Sequence, residues 1–186
     1  MFMLTDGGVI NQYQLTPLET FSVVVAAMIH DYEHPGRNNA FLVNTCHPIA
    51  IRYNDESVLE NHHSAAGFEI LLRPECNITS GLSKEDFVFF RKTVISLILA
   101  TDFSKHFSIL GRYKSLMEDS HQVDMSLPEN RNLLMQIAIK SADISHTTKA
   151  QHLHLAWTER VSEEFFVQGD SEKQEGLAVS PGKNNL

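Results

Sequence analysis

The chain has 186 residues, 42% of them hydrophobic, which is enough for a single domain with a real core. Its 15 Lys+Arg against 23 Asp+Glu give a formal net charge of -8, which argues against a nucleic-acid backbone as partner. Cys46 and Cys76 follow no finger or redox spacing, MFMLTDGG has no basic signal-type start, and the longest apolar run, 23–29, is too short for a bilayer. A soluble, reducing, cytoplasmic setting with no membrane segment is the expectation.

Thr16-Pro17-Leu18-Glu19 reads as a capping box with proline at the first helical position, and predicts a helix over 17–32. Short helical or turn segments are expected at 38–45 and 48–53. Asn54-Asp55 introduces a helix across SVLENHHSAAGFEILL that is over by Pro74. Ser83 with Asp86 caps KEDFVFFRKTVISLILA, which is apolar enough to be buried on most faces. A further helix is predicted over 101–117, then a polar loop over 118–130 that includes Pro128. Helical periodicity returns over 129–144 and 149–168, with Gly169-Asp170 as a stop and a short helix over 171–176 before Ser180-Pro181. No alternating strand pattern and no internal repeat occur, so the fold class is all-α.

Histidines and carboxylates gather in three places. The first is HDYEHPGRNN, where His30 and Asp31 offer the mixed N/O set that suits zinc-like and magnesium-like ions. His34 stands at i+4 from His30, so on one helix both rings share a face, and Pro35-Gly36 closes that helix. The second is Glu60-Asn61-His62-His63, and the third is Asp143 after the apolar LLMQIAIKSA. An adjacent His-Asp pair plus one distant Asp is a pattern used by metal-dependent phosphohydrolases. Each piece also has a plain structural reading. Glu60, His62 and His63 fit a solvated helix face, Asp143 a cap or a partner of Lys140, and Trp157 with Phe165-Phe166 the core. Their joint occurrence on helices with apolar backs favours metal.

HDYEHPGRNNAFL, YNDESVLENHH, LATDFSKHF, KSADISHTTK and EEFFVQGDSEK with a following SP, in that order, resemble the class I cyclic-nucleotide phosphodiesterases from about residue 15 to 181. The resemblance implies a compact multi-helix, HD-type domain that hydrolyses cAMP or cGMP in signalling, with two divalent ions, zinc and magnesium (or manganese). It implies that His30, Asp31 and Asp143 bind metal, Asp31 bridging the two ions. It implies that His34, Glu60 and Thr101 hold metal-bound waters, with His63 and Asp102 near the phosphate network. It places His146, Trp157 and Val161 along the nucleotide pocket. HDYEH and ADISH most resemble the calmodulin-stimulated branch and LPENRNLLMQIAIKSAD resembles other cytosolic branches, so neither a subfamily nor a base preference follows.

Two family features are not found. No HNxxHA-type motif precedes His30, and Ser180-Pro181 is followed by GKNNL rather than by helices with a purine-binding glutamine. The expectation is therefore that 1–186 is the central part of a catalytic domain, lacking N- and C-terminal helices, with a metal site mostly present and impaired activity. The alternative is an inactive form that binds a full-length relative, or a second copy, through an uncovered apolar surface.

Overall fold

The computed structural model describes residues 15–118 and 123–184, and these are helical with no strand. Helix α1 (Pro17–Ile29) begins as its sequence dictates. Thr16 Oγ1 accepts from the Glu19 amide at 3.2 Å and Glu19 Oε2 accepts from the Thr16 amide at 2.8 Å, closing the capping box. The helix stops short of residue 32. His30 is its C-cap, and the amides of Tyr32 and His34 reach back to Ile29 and Asp31 in a turn where Glu33 has φ 60°. His30 and His34 are therefore not successive turns of one helix, contrary to the spacing.

Helices α2 (Asn39–Asn44) and α3 (Pro48–Arg52) are short and capped by Asn38 and His47. Asn54, Asp55 and Ser57 all take positive φ before α4 (Val58–Leu71). Ser57 makes no cap bond there. The Leu59 amide is satisfied from α2, by Asn39 Oδ1 at 2.9 Å. Helix α5 (Lys84–Thr101), capped by Ser83, is the central element, and α1, α4 and α7 (Pro128–Asp143) pack around it. Its Phe90, Val94, Leu97 and Ile98 are fully buried against Val23, Ala26, Phe68, Met135 and Ile139, and Phe90 stacks on Phe21 at 5.1 Å between ring centroids.

Three boundaries depart from the sequence expectation. The helix predicted from 101 is broken at Asp102, whose Oδ1 caps Ser104 at 2.8 Å and starts a 3-10 turn, Phe103–Lys105, before α6 (His106–Glu118). Pro128 opens α7 at its first position and does not sit in a loop. Helix α8 (Gln151–Gln174), entered through a 3-10 turn at Ser145–Thr148, runs straight through Gly169-Asp170. Gly169 is no stop signal: a Cβ there would collide with the Lys183 carbonyl, so glycine admits the returning tail. The first part of the predicted loop, at 119–122, lies outside the described residues. Trp157 and Phe165, read as core, are 50% and 44% exposed because α8 turns that face away from the body. No helix among the described residues is long and apolar enough to cross a membrane.

Candidate metal centre and cleft

The end of α1 and the end of α7 meet at His30, Asp31 and Asp143. His30 Nε2 lies 3.2 Å from Asp31 Oδ2 and 3.3 Å from Asp143 Oδ1, and one ligand atom from each residue falls within 4.8 Å of the others. On the far side of the ring, Nδ1 sits 3.0 Å from the Ala27 carbonyl, to which it can only donate. That bond fixes the tautomer and directs Nε2 at the carboxylates, the arrangement of a metal-ligating histidine. Burial pulls the His30 pKa down, but hydrogen bonds to Asp143 and Asp31 outweigh it and push it up to about 10. The hydrogen bond from His30 in turn holds Asp31 low despite its burial. A proton on Nε2 thus ties two carboxylates together, and one imidazole with two carboxylates suits a divalent cation in its place.

The second cluster packs beside it. His63 is 2% exposed, with Nδ1 2.6 Å from the Tyr32 carbonyl and Nε2 3.9 Å from Asp31 Oδ1. Burial lowers its pKa. His34 stacks on it at 5.6 Å between centroids, and His34 Nδ1 accepts from the Gly36 amide at 3.1 Å. His62 pairs with Glu33 at 3.0 Å. This helix face is therefore no solvated surface. Glu60 accepts from Asn39 Nδ2 at 2.9 Å, and burial raises its pKa. Thr101 donates its hydroxyl to the Ile98 carbonyl at 2.8 Å. Asp102 is 5% exposed with both oxygens engaged, by Ser57 Oγ at 2.7 Å and by the Ser104 amide. Burial pushes its pKa up, but those bonds prevail and hold it low.

A cleft of about 640 Å³ brings Asp31, His34 and Asp143 together with His146, Trp157 and Val161. Glu60, His63, Thr101 and Asp102 do not line it. Thr101 instead shares with Asp143 a smaller hollow of about 280 Å³ that also holds Lys140 and Phe103. The pairing of Asp143 with Lys140 through a direct bond is not found: the Lys140 ammonium goes to the Ala100 carbonyl at 2.7 Å. Lys149 and Glu164 also line the larger cleft, and no sequence signal separates them from ordinary solvated charges. His154 Nδ1 lies 3.2 Å from His146 Nδ1, so one ring donates to the other and sets how His146 faces the cleft. Two histidines eight residues apart across a Ser-Thr turn are no recognisable motif.

A helical domain in which His30, Asp31 and Asp143 could hold a divalent ion at an open cleft defines the class. The chain belongs to the 3'5'-cyclic nucleotide phosphodiesterase family, whose model matches residues 1–185. It is 47% identical over 165 residues to the mouse cGMP-inhibited 3',5'-cyclic phosphodiesterase 3A, covering 88% of this chain and 14% of that protein. It is 43% identical over 168 residues to a probable 3',5'-cyclic phosphodiesterase, pde-3, of Caenorhabditis elegans, covering 90% of this chain and 24% of that one. Its fold matches the phosphodiesterase domain of the RhoPDE fusion protein of the choanoflagellate Salpingoeca rosetta with a TM-score of 0.89 at 31% identity, over 92% of this chain and 55% of that one. The chain thus spans only a small part of the length of these curated relatives.

Proposed function

We propose that this chain carries the metal-binding core of a 3',5'-cyclic nucleotide phosphodiesterase and takes part in hydrolysing cAMP or cGMP to the 5'-monophosphate. The observation that carries the reading is the convergence of His30 Nε2, Asp31 and Asp143 within 4.8 Å, with His30 held in the ligating tautomer by Ala27. His30, Asp31 and Asp143 would hold a zinc ion, and Asp31 would also serve a magnesium or manganese ion. Such ions, when bound, would supply polarisation of the phosphoryl oxygens and a lowered pKa for water.

The rest falls to side chains. Glu60, Thr101 and His34 hold and orient ordered water behind the centre. His63, whose pKa burial lowers, donates its Nδ1–H to the Tyr32 carbonyl, which leaves Nε2 as an acceptor toward the water network of the phosphate. Asp102 stiffens the wall through Ser57 and Ser104. Trp157 and Val161 offer an apolar bed for the base and His146 a polar contact at its edge. The test is release of 5'-nucleotide from cAMP and cGMP by the folded chain in zinc and magnesium. Turnover is to vanish in Asp143→Asn and with chelator; folded, metal-loaded protein without turnover of either nucleotide overturns it.

One observation favours a second reading, a binding module acting on another phosphodiesterase chain or on a second copy. Leu153, Trp157, Val161 and Phe165 leave α8 with an exposed apolar face. Concentration-dependent self-association, or co-purification with a phosphodiesterase, in the absence of turnover selects it.

A further inference from the structure

Lys140 stands one turn before Asp143 on α7, and the roles above leave it without a task. Its ammonium donates to the Ala100 carbonyl at 2.7 Å, in the last turn of α5 and next to Thr101 and Asp102. It shares the smaller hollow with Thr101 and Asp143, and the Phe103 ring centroid is 5.9 Å away. The negative charges of Asp143, Asp102 and Glu60 all act on it, from three separate elements. A tethered cation therefore faces the acidic end of the centre from behind, while Lys105 also acts on Asp102 and Glu60.

We propose that Lys140 is a fixed counter-cation of Asp143, Asp102 and Glu60 that limits how tightly the centre holds a divalent ion. The proposal rests on the metal reading of His30, Asp31 and Asp143. An ammonium is a compact point charge, and it repels an incoming dication whatever the coordination geometry of that ion. The weakened grip leaves an ion exchangeable. In a purely structural role, Lys140 satisfies a carbonyl at the C-terminal end of α5. Its loss would then loosen the join of α5 to α7 and weaken metal binding. The two roles differ in the sign of the effect on affinity.

The experiment titrates Mn²⁺ into the full chain, following free Mn²⁺ by electron paramagnetic resonance, for wild type, Lys140→Met, Lys140→Gln and Lys140→Arg. The Met and Gln variants are to bind Mn²⁺ on the order of tenfold more tightly than wild type, with Arg unchanged and the gap narrowing at high salt. Equal or weaker affinity in the Met and Gln variants overturns the proposal. So does loss of fold in both, which assigns Lys140 to the helix join alone. Wild type that takes up no Mn²⁺ removes the metal reading itself, whereas wild-type binding without a shift in the variants removes only the role of Lys140.

Discussion

Arg131 Nε donates to Glu19 Oε1 at 2.7 Å across 112 residues of chain, and the same carboxylate closes the start of α1 on the Thr16 amide. One side chain, 2% exposed, is both helix cap and the anion that pins α7 to α1. Arg131→Ala leaves that anion buried without its partner and is to cost about 3 kcal/mol in urea unfolding, the lower end for a broken buried pair because the arginine is partly solvated. Glu19→Gln keeps an acceptor for Thr16 and is to cost less. Loss of under about 1 kcal/mol in Arg131→Ala would show that solvent compensates Glu19.

Metal binding is read by stability before any turnover. Zinc at one hundred times its dissociation constant is to stabilise the wild-type fold by about 2.7 kcal/mol. His30→Ala and Asp143→Asn are to lose that gain while remaining folded in thermal melts. Equal zinc stabilisation in either variant places the ion elsewhere.

Because His30 is pushed up to about 10, it carries a proton at neutral pH that a metal must displace. Calorimetry in buffers of different ionisation heat is to show about one proton released per ion at pH 7. The same raised value has a consequence for the metal-free protein. Its contribution to stability is fully present below the ordinary histidine value and is lost as pH rises through about 10. Metal-free stability flat from neutral to pH 10 contradicts the pairing.

The tail is held by Glu172, which accepts from the Ser180 amide at 2.7 Å, from Ser180 Oγ at 2.8 Å and from Gln168 at 2.8 Å. Burial pushes its pKa up, but these bonds outweigh burial and hold it low. The stabilisation is therefore present above the ordinary glutamate value and fades as pH falls through the lowered one. The Ser180 amide resonance is to move toward its unfolded position over that acid range in wild type. In Glu172→Gln it is to be displaced already at pH 7.

Gly169→Ala drives a methyl group into the Lys183 backbone. Helix α8 gains propensity from alanine, so its helicity is to hold or rise. The tail beyond Gly176 is to become protease-sensitive at pH 7. A variant as resistant as wild type shows that the tail can shift without loss.

Local chemistry was legible in the sequence. Thr16 and Ser83 announce their helices because their cap bonds are made within three residues, and His30, Asp31 and Asp143, singled out by residue type, lie together in the fold. What escaped was set across the fold. Asp102 breaks a helix-like run because Ser57, 45 residues away, and the Ser104 amide claim its oxygens. Gly169 looks like a stop because its partner, Lys183, is a contact that only the folded chain creates. His34 seemed to extend a helix because the turn at Glu33 leaves no mark on residue spacing. Trp157 and Phe165 are apolar enough for a core, and composition cannot say which way α8 faces.

The amide of Leu59 is capped by Asn39 from another helix, while its own neighbour Ser57 turns toward Asp102. Helix α4, which carries Glu60, His62 and His63, therefore has no start signal that works before α2 is in place. Its first turn is completed by a contact that exists only when α2 is docked. The alignment of these histidines thus depends on a neighbouring helix as well as on the one that carries them.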